Sequence, residues 1–249
     1  MTNAPPNTEL QPPRKRLFIG LLTLACAVVL LVSFLLWWVP SIGLVNIHPT
    51  LPLVFGIILG LSLSSTFIPP AGKPPLILLL SGLVALSLFA LAYHTLPAFR
   101  AYVLSLDMRL LILIHGWRTL GLGFVMLYMV NQLPMLFAFL AGFGDAIAAV
   151  GAILLAYLLF TSRSGVSKKL ISRWNTFGLV DFVIAVSVGV LTQTNGLLAS
   201  NTGVDSDLMT AFPFAIIPAF LVQVFTLTHI IIYLQLKNVW KGRSHVVMK

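Results

Sequence analysis

Long apolar runs separated by short polar joints dominate the hydrophobic pattern of this chain. A helix needs roughly 20 apolar residues to cross the hydrocarbon core of a bilayer, and several runs reach that length. The pattern therefore predicts an all-α fold, a polytopic bundle of transmembrane helices. About seven spans are predicted, at residues 17–39, 51–68, 76–97, 110–130, 136–160, 172–193 and 212–236.

The polar joints contain the turn-forming residues expected between membrane helices. The run from Pro69 to Pro75 predicts a stiff turn, and Asn131–Pro134 predicts a very short connection. No polar stretch is long enough to bury a core of its own, so residues 17–236 are predicted to form one transmembrane helical domain. Residues 1–16 are expected to be a disordered basic segment, and residues 237–249 a basic cytoplasmic tail.

Composition supports the membrane interpretation and narrows the partners. Hydrophobic residues make up 59% of the 249 residues and charged residues 8%, against about 25% charged in ordinary soluble domains. The net charge of +9 comes from basic residues between apolar segments, where anionic lipid headgroups explain them and nucleic acid does not. With Cys26 as the sole cysteine, an intrachain disulfide is excluded. We expect a multi-pass protein of the plasma membrane, in an oligomeric state that the sequence leaves open.

The distribution of lysine and arginine predicts the orientation. Because cytoplasmic loops carry the excess of these residues, the C-terminus is predicted to be cytoplasmic. Seven crossings then place the N-terminus outside, which conflicts with the basic run Arg14–Arg16 beside the first span. A re-entrant early segment is the alternative. One set of helix ends holds Arg100, Arg109, Arg163, Lys168, Lys169, Arg173, Lys237, Lys241, Arg243 and Lys249, and the other holds Arg14, Lys15, Arg16 and Lys73.

Three charged residues, Arg118, Asp145 and Asp181, fall well inside predicted spans. At a helix centre each costs about 2.5–3.5 kcal/mol on insertion scales, so pairing is expected. At about 1.5 Å of rise per residue, Arg118 and Asp181 are level, roughly 12–14 Å from the cytoplasmic edge, and Asp145 is at roughly 22 Å. We expect Arg118 to point into the bundle, towards Asp181 first and Asp145 second.

Other polar residues extend this buried network. Asn175 and Gln223 are predicted members, and both aspartates lie within stripes of small residues that let membrane helices approach closely. Pro213 and Pro218 are predicted to kink or hinge the last span, since each removes a backbone donor there. The alternative interpretations are a purely structural ion pair and, for Asp145, a cap at a helix break.

Three histidines, His94, His115 and His229, are predicted to lie at similar depth near one edge, and form a candidate metal or proton site. Three imidazoles and an open position make a catalytic zinc site, and His115 with His229 are also candidate axial ligands of haem b. Zinc and haem b are thus the candidate cofactors. The alternative is that the histidines are neutral and bond to neighbouring helices.

Three patterns are similar to those of an uncharacterised family of bacterial multi-pass membrane proteins. They are Ala141-Gly142-Phe143-Gly144-Asp145, the run from Trp174 to Asp181, and Pro213 to Pro218 followed by His229. The resemblance covers roughly residues 110–236. It implies about seven spans in a bacterial inner membrane and carries no known activity.

The sequence therefore favours a small permease, channel or solute-binding bundle, with a small anionic solute received by the buried Arg/Asp network. A non-catalytic membrane scaffold or assembly protein is the second hypothesis. A membrane-embedded metal-dependent hydrolase that uses the histidine cluster is the third, and a haem protein the fourth. Whether the protein is an enzyme is left open.

Overall fold

The structure is a computed structural model, and it describes residues 50–70, 72–161 and 166–246, with side chains as far as residue 238. The regular secondary structure of the described residues is helical and contains no β-strand, in agreement with the predicted all-α class. The helices are α1 (Thr50–Leu63), α2 (Leu76–Thr95), α3 (Pro97–Ser105), α4 (Met108–Leu113), α5 (Leu122–Met129), α6 (Met135–Thr161), α7 (Lys168–Leu191) and α8 (Val222–Val246). Ile114–Gly121 is a 3₁₀ segment, Asp207–Thr210 a short 3₁₀ turn and Ile217–Leu221 a π-helical turn.

The chain divides into two compact units, residues 1–57 and 58–249. The described part of the first unit is residues 50–57, which begin α1. The predicted first span at 17–39 and the predicted disordered segment at 1–16 lie outside the described residues. Apart from the length of α1, all further description concerns the second unit.

Five helical stretches are long and apolar enough to cross a membrane: Leu76–Thr95, Met108–Met129, Met135–Thr161, Lys168–Leu191 and Ile217–Asn238. Their bounds lie within five residues of the corresponding predicted spans. The prediction of an apolar transmembrane helix bundle is confirmed at this level.

The predicted span 51–68 is longer than the helix in that region. Helix α1 has 14 residues and ends at Leu63. Ser64 donates its hydroxyl to the carbonyl of Leu61 at 3.0 Å, and Ser65 adopts a left-handed conformation with φ of 59°. Serine side chains compete with the helical ladder in this way, so the helix ends before the predicted position.

Helix α6 is packed as membrane helices are, with small side chains inside and large ones outside. Ala138, Ala148 and Ala152 are fully buried, whereas Ile147 and Leu154 are about 60% exposed. Soluble monomers rarely expose large contiguous apolar surfaces, and lipid gives no reason to bury large side chains. Small inward-facing residues instead let neighbouring backbones approach.

The core is formed around α6, which packs against α4, the 3₁₀ segment, α5 and α7. One apolar cluster joins α4, α6, α7 and α8, and its buried members are Ile112, Ala152, Leu155, Ala156, Ile171, Trp174, Ile232 and Leu236. Another joins α2, α3 and α8 through Tyr93, Val103 and Ile231. Helix α3 falls in a stretch predicted as a joint. It begins with Pro97 at its first turn, a position that proline suits.

The last helix continues beyond the predicted span. Helix α8 extends to Val246, so most of the predicted tail 237–249 is a helical continuation of the span, and residues 247–249 lie outside the described part.

Between α7 and the π turn, a folded loop is held by Ser206, which donates to the carbonyl of Gly189 at 2.5 Å and accepts from Thr192 at 3.0 Å.

Candidate functional site

The 3₁₀ segment Ile114–Gly121 aligns three functional positions on one buried face. A 3₁₀ helix has three residues per turn, so residues three apart lie directly above one another. His115, Arg118 and Gly121 have this spacing, and all three are buried. A 3₁₀ stretch inside a longer helix is uncommon and often marks a functional or strained position.

The guanidinium of Arg118 binds both aspartates. Its Nε donates to Oδ1 of Asp145 at 2.7 Å, and its Nη2 donates to Oδ2 of Asp181. The Arg118 side chain is 1% exposed, against 18% for Asp145 and 6% for Asp181. The ring of Phe182 supports the guanidinium, whose central carbon is 3.9 Å from the ring centroid. The 3₁₀ segment, α6 and α7 therefore meet at one buried cation.

The two aspartates are closer in depth than the sequence suggested. Helix α7 begins at Lys168, four residues before the predicted 172. Asp181 therefore lies roughly 20 Å along α7, and Asp145 lies roughly 24 Å from the Thr161 end of α6, at about 1.5 Å per residue. One guanidinium can thus reach both carboxylates.

His229 joins the cluster as a neutral acceptor. Its Nε2 lies 3.2 Å from Nη1 of Arg118. Because arginine can only donate, Nε2 carries no proton and accepts. The other ring nitrogen, Nδ1, is 2.7 Å from Oδ1 of Asn175 and donates to it, while Nδ2 of Asn175 donates to the backbone carbonyl of His229 at 3.0 Å. Asn175 therefore fixes both the ring and the tautomer of His229.

His115 stacks on His229 and is fully buried, with the two ring centroids 4.0 Å apart. Its Nε2 lies 2.9 Å from Oγ1 of Thr228, and that hydroxyl donates to the carbonyl of Phe225 at 2.8 Å. Thr228 thus accepts from His115, whose Nδ1 remains an acceptor. Among the described residues Nδ1 has no partner.

Glycines make the space that the charged side chains occupy. A methyl group at Gly144 would overlap the carboxylate of Asp181, and one at Gly178 would overlap the ring of His229. A Cβ at Gly121 would lie 2.5 Å from the Cβ of Asp145. The glycines in the two motifs around Asp145 and Asp181 therefore belong to the same site as the charges.

The structure brings Arg118, Asp145, Asp181, Asn175 and His229 together, with His115 beside them. It does not bring in Gln223, whose amide donates to the carbonyl of Pro218 at 3.3 Å and would contact a Cβ at Gly82. Sequence reasoning missed Phe182, Thr228 and Gly121. Their only signal was position, since each is next to a predicted site residue or three residues from it.

His94 and the two prolines lie elsewhere. His94 is exposed near the end of α2, where its ring meets that of Tyr93 edge to face at 5.5 Å. Pro218 is in the π turn, and Pro213 is in the turn that precedes the helix. Only Pro218 therefore accompanies an irregular turn of the last span.

The arrangement does not suit the two candidate cofactors. Within the described part of the chain, no three His, Cys, Asp or Glu side chains gather as metal ligands would. The guanidinium 3.2 Å from Nε2 of His229 would also repel a cation there. The rings of His115 and His229 stack in contact, which leaves no room for a porphyrin between them. In this conformation the site fits neither zinc nor haem b.

Of the comparisons with known proteins, the one with protein families gives a match, and it covers the region of this site. No curated protein and no solved structure matches the chain. A family profile described as a domain of unknown function, DUF8737, matches residues 74–237, which is more than half of the chain. The match includes four of the five long apolar helices in full, the fifth except for its last residue, and every residue of the buried cluster. It agrees with the resemblance to an uncharacterised family and begins earlier in the chain. This chain belongs to the DUF8737 family.

Proposed function

We propose that this protein is a small permease that carries an anionic solute together with a proton, and that the Arg118 cluster is its binding site. The observation that carries the proposal is the pairing of one buried guanidinium with two carboxylates, Asp145 and Asp181. A solute anion would take the place of one carboxylate on the guanidinium.

The charges of Arg118 and the two aspartates determine how many protons move with each anion. With both aspartates ionised the cluster carries one net negative charge, and burying an uncompensated charge costs several kcal/mol. Neutrality therefore requires one proton on the pair of carboxyls. When a monovalent anion binds Arg118, neutrality requires a second proton. The proposed cycle thus moves one proton with each monovalent anion.

Asp145 is the proposed exchanging group. Its side chain is three times as exposed as that of Asp181, at 18% against 6%, and it holds Arg118 through a single bond to Nε. Protonation would weaken this bond and free Nε for the anion. Asp181 would carry the proton that is present throughout the cycle, and its unprotonated oxygen would still accept from Nη2 and keep the guanidinium in place.

The 3₁₀ segment is the proposed moving element. A 3₁₀ helix rises about 2.0 Å per residue against about 1.5 Å for an α-helix. Conversion of the eight residues Ile114–Gly121 to α-helix would shorten the segment by about 4 Å and turn Arg118 away from its present face. This would carry a bound anion along the bundle axis.

The test is a flux measurement in liposomes. The purified protein is reconstituted with a pH-sensitive dye trapped inside, and inward gradients of chloride, phosphate, sulfate and succinate are applied in turn at equal pH on both sides. At least one anion should acidify the lumen faster than in protein-free liposomes. Arg118→Met should abolish this flux, and Asp145→Asn should reduce the acidification more than the anion uptake, which is measured with radiolabelled anion.

Arg109→Met is the matched control, since Arg109 lies on α4 and is paired with Asp107 outside the cluster. It should transport as the unchanged protein does. Acidification that survives Arg118→Met, or anion uptake without any proton movement in the unchanged protein, would contradict the proposal.

The second candidate is a scaffold in which the cluster only fixes the packing of the helices. The close glycine contacts around Arg118 and its nearly complete burial favour this role. A scaffold predicts no flux with any anion, and full stability in a variant whose cluster is replaced by apolar residues.

For the topology, we propose about seven apolar segments in a bacterial inner membrane, with the C-terminus cytoplasmic and residues 17–236 as one domain. Helix α1, at 14 residues, is shorter than the roughly 20 that a crossing needs. A re-entrant α1 would bring Arg14–Arg16 to the cytoplasmic side. Reporter fusions at both ends test this: equal cytoplasmic signals support a re-entrant α1, and opposite signals support seven full crossings.

A further inference from the structure

We propose that the groove between the end of α2 and α3 binds the phosphate of an anionic phospholipid. The groove has a volume of about 310 Å³, and its lining residues are Tyr93, His94, Pro97, Arg100, Ala101 and Leu104. This site is separate from the Arg118 cluster and does not depend on the proposed transport.

The two basic residues are fixed around one aromatic ring. The guanidinium of Arg100 lies over the ring of Tyr93, 5.4 Å from its centroid, and His94 meets the same ring edge to face. Tyr93 itself is buried and anchored in the cluster that joins α2, α3 and α8. The guanidinium of Arg100 and the imidazole of His94 are therefore held at the groove on a rigid support, which reduces the entropy that a bound phosphate must overcome.

The lining of the groove carries positive charge and no acidic residue. None of the six lining residues is acidic. The nearest carboxylate along the chain after Arg100 is Asp107, which is paired with Arg109 at 2.6 Å. Arg100 thus supplies a positive charge that matches the negative charge of a phosphate.

The position of the groove indicates a lipid rather than a free phosphate. Helix α2 has 20 residues, or about 30 Å at 1.5 Å per residue, which equals the hydrocarbon thickness of a bilayer. His94 and Arg100 therefore lie at headgroup level. Val84, Leu88 and Leu91 form an exposed apolar stripe, each more than 50% exposed, that leads along α2 to His94. An acyl chain on this stripe would bring its phosphate to the groove.

The test is native mass spectrometry of the purified protein in detergent, titrated with phosphatidylglycerol and with phosphatidylcholine of the same acyl chains. One surface cation contributes about 1 kcal/mol to binding of an anionic lipid, which corresponds to about fivefold in affinity. We expect one tightly retained phosphatidylglycerol. Its preference over phosphatidylcholine should fall about fivefold in Arg100→Gln and remain in Arg100→Lys.

Arg109→Gln is the matched control, because it removes a charge from the next helix outside the groove and should leave the preference unchanged. Equal losses in Arg100→Gln and Arg109→Gln would overturn the proposal, since they would indicate only a general surface charge. Loss of the preference in Arg100→Lys would overturn it as well. Glycerol phosphate without acyl chains should not compete, and competition at equal concentration would indicate a free-phosphate site instead.

Discussion

Replacement of Arg118 by methionine should be among the most damaging single changes in this protein. Methionine keeps much of the apolar stem and removes the guanidinium, so the aspartates on α6 and α7 lose their shared cation. Two hydrogen bonds to charged groups, at about 1.5–3 kcal/mol each, give a loss of about 3–6 kcal/mol. The cost of breaking a buried ion pair by removing one partner, about 3–5 kcal/mol, leads to the same range.

The physical reason is uncompensated charge, and a series of variants can isolate it. In Arg118→Met/Asp181→Leu one carboxylate still lacks a partner, so stability should recover only in part. In Arg118→Met/Asp145→Leu/Asp181→Leu no buried charge remains, and leucine resembles aspartate in branching. Apolar replacement of a whole buried ion cluster is often neutral or stabilising, so this triple variant should recover most of the loss.

The assay is equilibrium unfolding in mixed micelles, with SDS as the denaturant and tryptophan fluorescence as the signal. Arg109→Met is the control, because its pair with Asp107 has side chains 48% and 34% exposed, and exposed pairs contribute little. If Arg118→Met proves no more harmful than Arg109→Met, or if the triple variant stays as unstable as Arg118→Met, the reasoning from uncompensated charge is refuted.

Three further predictions concern the glycines, the tautomer of His229 and Asp107, which caps the N-terminus of α4. Gly178→Ala should destabilise the protein by about 1–3 kcal/mol through overpacking against the imidazole, whereas Gly123→Ala, with no atom within 4 Å of its Cβ, should leave the thermal unfolding temperature unchanged or raise it. Asn175→Leu removes the acceptor of the imidazole Nδ1–H, at about 1–3 kcal/mol for a buried unsatisfied donor, and ¹⁵N NMR of the labelled ring should show loss of the single tautomer. The side-chain hydrogen bond from Arg109 lowers the pKa of Asp107 below its ordinary value of 3.8. The stability that Asp107 contributes is therefore complete above the unfolded-state pKa and is lost as the pH falls through the lower, folded-state pKa. An acid titration of unfolding should show this loss, and Asp107→Asn should remove it.

The sequence predicted the five long apolar helices and the contact of Arg118 with two aspartates because both follow from the cost of polar groups in lipid. Runs of about 20 apolar residues have few alternatives to a membrane helix. An arginine inside a span needs a carboxylate, and Asp145 and Asp181 were the only candidates at comparable depth. This constraint therefore allows the contacts of Arg118 to be predicted without any knowledge of how the helices pack.

The irregular turns could not be predicted in the same way. Whether Ile114–Gly121 forms a 3₁₀ or an α-helix depends on a small backbone rotation, and here close contact with α6 accompanies it: a Cβ at Gly142 would lie 2.9 Å from the carbonyl oxygen of Gly121. No local sequence pattern indicates this contact. The same limit explains His94: Tyr93 packs against α3 and α8, and the neighbouring His94 is left exposed.

The number of carboxylates distinguishes the two roles proposed for the cluster. A brace between helices needs one carboxylate for one guanidinium, and the pair is then neutral. Here Arg118 holds two, on different helices, and His229 is held as a neutral acceptor that adds no positive charge. The surplus charge weakens the packing unless a proton neutralises it, so a purely structural site gains nothing from the second aspartate. In a site that exchanges a proton for each anion, the second carboxylate would hold the guanidinium while the first is protonated and gives up its place to the anion, which is why the presence of two carboxylates favours the permease over the scaffold.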